Sequence, residues 1–278
     1  MNARAMSMLL AFAICAASHI ASAQDETLFA QTASATLERQ FGRSELAWIL
    51  LNNSGQILAL HWDSPEAPIA PGSLVKPFLA QAYGEQHDFL YPRVFCAGTK
   101  SACWRPGGHG WLGIESALGE SCNAYFLSLA DGIDHVGAAQ TFAHFGLRGP
   151  PVDAPNRALI GLGREWEETP LALARAYLAL LRETGKGKEV VADGMAIAAE
   201  RGTAGTVNSI LGHNAAFAKT GTAVCAHSPR AAADGFAVVI YPAPQTRLLL
   251  MVRMHGATGA QTAAVAGQMM HSIGQGVR

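Results

Sequence analysis

Three short groups of residues in this chain combine hydroxyls, amines and an amide at spacings suited to acyl chemistry. Ser73 and Lys76, within Pro71-Gly72-Ser73-Leu74-Val75-Lys76, stand three positions apart, which puts a hydroxyl and an amine on one face of a helix. A serine hydroxyl is a weak nucleophile until a base takes its proton, and a lysine kept from water is neutral enough to be that base. Ser121 and Asn123, either side of Cys122, add a hydroxyl for proton transfer and a carboxamide that can orient a peptide group. Lys219-Thr220-Gly221-Thr222 supplies a cation, two hydroxyls on one side of a strand, and a glycine that leaves room for a ligand backbone. Alone, each group has an ordinary structural explanation, since serine and asparagine cap helices and a Lys-Thr-Gly run suits an exposed strand. Their occurrence together and in this order is what carries weight.

The elements that must position these groups alternate in period. Residues 27–43 carry apolar residues at helical spacing. Leu46–Leu51 and Ile57–Trp62 flank Asn52-Asn53-Ser54-Gly55 as a hairpin does, and Ser73–Tyr83 reads as a helix starting at its own serine. The segment from about 85 to 205 is expected to be helix and loop, with helices at 113–118, 123–129, 138–145, 170–182 and 190–200. Thr169 caps the fourth of these with Pro170 in its first position. Strands return at 216–224, 235–241 and 247–254, and a small-residue helix at 258–273 closes the chain. The reading is an α+β fold: a five-stranded antiparallel sheet, its two halves separated by an inserted helical lobe, with the terminal helices covering one face.

The first 23 residues read as an export signal, with Arg4 as their only charge, an apolar run from Met6 to Ala17, and Ala21-Ser22-Ala23 before the expected cleavage. Residues 24–278 then form a single periplasmic domain with no membrane span. A formal net charge of -1 offers no basic field for a phosphate backbone, which excludes a dedicated nucleic-acid binder. Export permits disulfides, and Cys96 and Cys103 enclose a short polar loop that a bridge would close. Two separate thiols are the alternative. A metal ranks last, because neither cysteine belongs to a Cys-x-x-Cys pair and the nearest histidine, His109, stands among glycines. The expectation is therefore no metal and no organic cofactor. Cys122 is expected to pack away from Ser121.

With all three motifs in place the sequence resembles the serine penicillin-recognising superfamily, most closely the transpeptidase domain of elongation-type high-molecular-weight penicillin-binding proteins. The likeness extends through Cys103-Trp104-Arg105-Pro106-Gly107-Gly108-His109-Gly110, Ala117 to Phe126, Ile160-Gly161-Leu162-Gly163, Thr169 to Ala174, and Lys219 to Ala223, and it covers about residues 45 to 275. It implies the β-lactamase/transpeptidase-like fold. It also implies that Ser73 attacks D-alanyl-D-alanine with Lys76 as base, within direct or one-water hydrogen-bond reach, and that Ser121 and Lys219 relay the proton. Asn123 would bind the substrate amide, Thr220, Gly221 and Thr222 the terminal carboxylate and backbone, and the Ser73 and Thr222 N–H groups the oxyanion. The implied partners are peptidoglycan stem peptides and β-lactams, in a D,D-transpeptidase or D,D-carboxypeptidase reaction.

The chain departs from that pattern in size. Ser73 follows the expected cleavage point by 50 residues, without room for a large preceding domain, and the interval to the second motif is short. The length approaches that of class D β-lactamases, yet Asn123 replaces their hydrophobic residue and Thr222-Ala223 replaces their bulky residue and glycine. Glu165, Glu167 and Glu168 lie where a class A enzyme holds a water-activating glutamate but lack its sequence setting. A serine β-lactamase and a non-catalytic binding or sensing module with an envelope partner are the competing readings.

Overall fold

The computed structural model describes residues 24–225 and 233–275. The expected export segment 1–23 lies outside the described residues.

Helix α1, residues 24–41, turns Phe29, Ala33, Leu37 and Phe41 to one side at intervals of four. Strands β1 (Leu46–Asn52) and β2 (Ile57–His61) form the predicted hairpin, with a register shift at Leu50/Leu51. After the helical region come β5 (Phe217–Ala223), β6 (Asp234–Tyr241) and β7 (Leu248–His255), and then helix α10 (Gly259–Gln275). The sheet order is β2-β1-β7-β6-β5, every pair antiparallel. The five-stranded α+β architecture expected from the sequence is thus present, with β7 joining the two halves.

Alternation along the strands builds two cores. Trp48, Leu50, Val239, Leu250 and Val252 face α1 and α10, whereas Ile49, Leu51, Val238, Ile240, Leu249 and Met251 face the helical lobe. Burial on both faces explains why runs such as Leu248 to Val252 show no polar alternation. The lobe contains α2 (Lys76–Gln86), α3 (Ile114–Gly119), α4 (Asn123–Asp131), α5 (His135–His144), α6 (Asn156–Leu159), α7 (Pro170–Arg182), α8 (Lys186–Glu200) and α9 (Thr206–Leu211). Thr169 Oγ1 accepts the Ala172 N–H at 3.1 Å, as its capping role requires.

One part of the lobe departs from the helix-and-loop expectation. Strands β3 (Val94–Cys96) and β4 (Gly110–Leu112) pair as a small separate sheet, with Cys96 opposite Gly110. Three residues are too few to show a strand period, so no sequence pattern marks them.

Candidate active site

Ser73 sits in a 3-10 turn, Gly72–Val75, that runs directly into α2. In such a turn positions i and i+3 eclipse, so Ser73 and Lys76 lie on one edge. Gly72 has φ +55°, and a Cβ there would lie 2.7 Å from the Thr222 carbonyl oxygen. Only glycine lets the serine turn lie this close to β5. Gly161 presses from the other side, where a Cβ would lie 1.9 Å from Gly72 O. Tyr177 of α7 donates its hydroxyl to Leu74 O at 2.6 Å and anchors the turn from below.

Ser121 occupies the junction between α3 and α4 with φ +50°, a conformation that serine rarely adopts. Its carbonyl oxygen accepts from Lys76 Nζ at 2.7 Å, and its hydroxyl accepts from Lys219 Nζ at 2.9 Å. Lys76 also donates to Asn123 Oδ1 at 2.6 Å and lies 3.4 Å from Ser121 Oγ, while Lys219 donates to Thr220 O at 2.7 Å. Both lysines are wholly buried. Burial holds Lys76 down at about 7, although the nearby Cys122 and Cys103 act to raise it. It lowers Lys219 well below the usual lysine range, with repulsion from Lys76 adding to the effect. Two lysines of reduced basicity thus meet at one serine. No direct hydrogen bond joins Lys76 to Ser73; such bonds often tighten only around substrate.

The hydroxyl of Ser73 opens on a cleft of about 440 Å³, lined also by Ser121, Asn123, Thr220, Gly221 and Thr222. All eight residues singled out from the three motifs therefore meet at one place, with the two lysines beneath its floor. The cleft has further walls that the motifs did not indicate. Trp104, half exposed, donates its indole N–H to the carbonyls of Glu120 and Ser121, each at 3.2 Å. Thr203 accepts the Thr220 hydroxyl at 2.6 Å, and Thr222 Oγ1 accepts the Gly259 N–H at 3.0 Å. An isolated threonine before a helix gives no sequence signal, whereas Trp104 lay within a stretch already quoted for its resemblance.

Of the glutamates in the 165–168 segment Glu167 is exposed, and Glu165 and Glu168 are engaged by other groups. Glu165 pairs with Arg157 at 2.8 Å, and that hydrogen bond lowers its pKa. Glu168 is buried and accepts from Trp166 Nε1 at 3.1 Å, from Gly149 N at 3.1 Å and from Arg148 N. Glu168 therefore tethers the 147–150 turn.

The expected Cys96–Cys103 disulfide is not formed. Both thiols are free and buried. The β3–β4 pairing carries His109 beside Cys96, and the turn into α4 brings in Cys122. The donor atoms of Cys96, Cys103, His109 and Cys122 all lie within 4.8 Å of one another. His109 Nδ1 is 3.4 Å from Cys96 Sγ and 3.6 Å from Cys103 Sγ, and the Cys103 and Cys122 sulfurs are 3.8 Å apart. For a tetrahedral zinc with Zn–S about 2.3 Å and Zn–N about 2.0 Å, the ligand edges are roughly 3.5 Å for S to N and 3.8 Å for S to S. The buried His109 Nε2 has no hydrogen-bond partner and faces Glu120 Oε2 at 3.7 Å, the outer carboxylate usual behind a metal-bound imidazole. Burial works to raise Cys96, but hydrogen bonds from Gly98 and His109 hold it at about 6, whereas burial pushes its neighbour Cys122 up to about 12. The donor set would fit a thiolate-bound zinc, and it is assembled by a hairpin that the Cys-to-Cys spacing does not reveal.

No protein-family model matches the sequence, and neither does any curated protein. Solved structures do. The apo TP domain of penicillin-binding protein 3 from Burkholderia pseudomallei superposes with TM-score 0.69 at 16% identity, covering 91% of this chain and 93% of that one. The chain has the β-lactamase/transpeptidase-like fold. Pseudomonas aeruginosa PBP2 has the same fold at 19% identity, TM-score 0.69, over 89% of this chain and 73% of that one. PBPA from Mycobacterium tuberculosis gives 16% identity and TM-score 0.67 over 88% of this chain and 80% of that one. Within this fold, the cleft described above lies between β5 and the helical lobe. Among the described residues no helix is long and apolar enough to cross a membrane.

Proposed function

We propose that the chain is a periplasmic serine acyltransferase acting on D-alanyl-D-alanine stem peptides of peptidoglycan, as a D,D-transpeptidase or D,D-carboxypeptidase. The observation that carries this reading is the junction of Lys76 and Lys219 on Ser121 beneath a cleft that Ser73 opens on. A structural lysine would keep its ammonium in water; these two are buried and weakened as bases ready to accept protons.

In this mechanism Ser73 Oγ attacks the carbonyl carbon of the penultimate D-alanine while its proton passes to neutral Lys76 Nζ. The backbone N–H groups of Ser73 and Thr222 hold the resulting oxyanion. The intermediate collapses with cleavage of the C–N bond, and the departing D-alanine nitrogen receives a proton from Ser121 Oγ, replenished through Lys219 and Lys76. The acyl-enzyme ester is then resolved by water or by an amine of a second stem peptide. Asn123 aligns the substrate amide, and Thr220 and Thr222 bind the terminal carboxylate. Zn²⁺ held by Cys96, Cys103, His109 and Cys122 would supply a structural cross-link. Those ligands stand on both sides of the turn that presents Ser121, so a bound ion would fix that turn's geometry.

A fluorescent penicillin tests the proposal. Stable labelling that requires Ser73, together with release of D-alanine from a stem peptide, supports it. Rapid hydrolysis of a chromogenic cephalosporin would instead establish a β-lactamase, and absence of labelling would leave a binding module.

A further inference from the structure

The threonine end of the cleft holds a hydroxyl that belongs to none of the three motifs. Thr203 stands in the turn between α8 and α9 and lines the cleft beside Thr220 and Thr222. Its backbone is held from the far side: Thr203 N donates to Gly119 O at 3.1 Å, and a Cβ on Gly202 would lie 2.3 Å from that same oxygen. Gly119 ends α3, so this turn is pressed against the segment that presents Ser121. Ala204 N bonds back to Ala198 O of α8 at 3.0 Å. Thr203 therefore reaches β5 from a fixed base.

The hydroxyl protons at this end can be followed one by one. Thr220 Oγ1 donates to Thr203 Oγ1 at 2.6 Å, which commits the Thr220 proton, and Thr220 is itself only 4% exposed. Thr203 still has its own proton to give. Gly119 O lies 3.4 Å from Thr203 Oγ1, a long contact to an oxygen that already accepts the Thr203 N–H. Thr203 is half-buried, so of the two hydroxyls its own is the one that a ligand meets more readily. Thr222 is exposed, and its oxygen accepts the Gly259 N–H at 3.0 Å, which leaves its hydroxyl proton to point outward.

Two hydroxyl donors side by side suit a group that only accepts and has two oxygens, a carboxylate. Gly259 opens α10, a helix of 17 residues, so the positive end of a long helix adjoins Thr222 and favours an anion there. The described residues that line the cleft include no arginine, histidine or lysine. Without a guanidinium to share the load, each hydroxyl carries a larger part of the recognition.

We propose that Thr203 is a specificity-determining residue of this site: it accepts the Thr220 hydrogen bond and donates its own proton to one oxygen of the substrate's terminal carboxylate, while Thr222 donates to the other. This rests on the acyl-transfer reading above and refines it, since Thr220 then acts through Thr203 rather than by touching the carboxylate.

The test compares benzylpenicillin with its methyl ester, which keeps the reactive ring and removes the charge, the acylation rate of each being read by mass spectrometry of the intact protein. The wild type should prefer the acid, and Thr203→Val should lower the acid-to-ester ratio by ~10-fold or more, the share of one hydrogen bond to a charged group. Thr203→Ser keeps the hydroxyl and should hold the ratio within about twofold of the wild type. A merely structural role would slow both compounds alike; an unchanged ratio in Thr203→Val, or one as low in Thr203→Ser, overturns the proposal. Should Thr203→Val fail to fold, Thr203→Ala, which retains the backbone bond to Gly119, gives the same comparison. Should the wild type form no adduct, the acyl-transfer reading fails and equilibrium binding of the two compounds decides on Thr203. A preference for the acid that Thr203→Val abolishes supports the carboxylate contact, and equal binding of acid and ester, or none, overturns it.

Discussion

Replacing Lys76 by methionine keeps most of the buried volume and removes the charge, so it separates the cost of the lysine from its use. An ammonium whose pKa falls from 10.5 to about 7 is disfavoured in the fold by about 5 kcal/mol relative to water. The unfolded chain titrates this lysine near 10.5, so between about 7 and 10.5 it binds a proton that the folded chain does not. Wild-type stability therefore rises with pH across that window, at up to about 1.4 kcal/mol per pH unit, and the penalty is full and constant below it. Lys76→Met lacks this dependence. It also strands the acceptors Ser121 O and Asn123 Oδ1, at about 1–3 kcal/mol each, but that loss does not vary with pH. The stability of wild type relative to Lys76→Met should accordingly improve by about 2–3 kcal/mol between pH 7 and 9, read from urea unfolding. Lys219 titrates in both proteins and largely cancels, apart from its repulsion of Lys76. Penicillin labelling of the wild type should accelerate as pH rises through about 7, where Lys76 loses its proton, and be at least ~100-fold slower in Lys76→Met. A stability difference that stays flat from pH 7 to 9 would refute the assignment of Lys76 as a desolvated base.

Ser73→Ala should abolish covalent labelling with no change in thermal midpoint, because Ser73 Oγ makes no hydrogen bond to another side chain or backbone group among the described residues; mass spectrometry of the intact protein reads the adduct. Ser121→Ala removes the hydroxyl that Lys219 donates to, and should slow acylation by ~100-fold or more while the chain stays folded. Gly161→Ala puts a methyl against Gly72 O at φ +76° and should cost about 2 kcal/mol or more, with slower labelling as the serine turn is displaced. Glu165→Gln should leave the lifetime of the penicillin adduct unchanged at minutes or longer, since Glu165 is engaged by Arg157; a lengthened lifetime would show that it activates water.

The parts of the site that were readable from the sequence are those where backbone conformation is local. Ser73 and Lys76 belong to one helical turn, and Thr220 and Thr222 to one strand, so spacing alone places each pair. The sheet was legible for a similar reason: strands of five to eight residues carry long apolar runs, and the hairpin turn at Asn53 to Gly55 announces the first pairing. Partners of the lysines were less readable. Lys76 bonds to a residue 45 positions away whose φ is positive, and a serine in that conformation leaves no mark in composition.

The cysteines show where spacing misleads. A loop of six residues between Cys96 and Cys103 looks like one a disulfide would close, yet both sulfurs turn to His109. What decides between the two outcomes is the β3–β4 pairing, which sets Gly110 opposite Cys96 and thereby brings its neighbour His109 to the same point. The fourth donor, Cys122, lies between Ser121 and Asn123, the two residues that Lys76 touches. A metal cross-link at Cys122, whose sulfur lies 3.8 Å from that of Cys103, would hold the backbone on which the base depends. The β3–β4 hairpin thus reaches the proton-transfer groups in two ways, through its loop residue Trp104, which donates to the Ser121 carbonyl, and through the sulfur of Cys103, which meets Cys122.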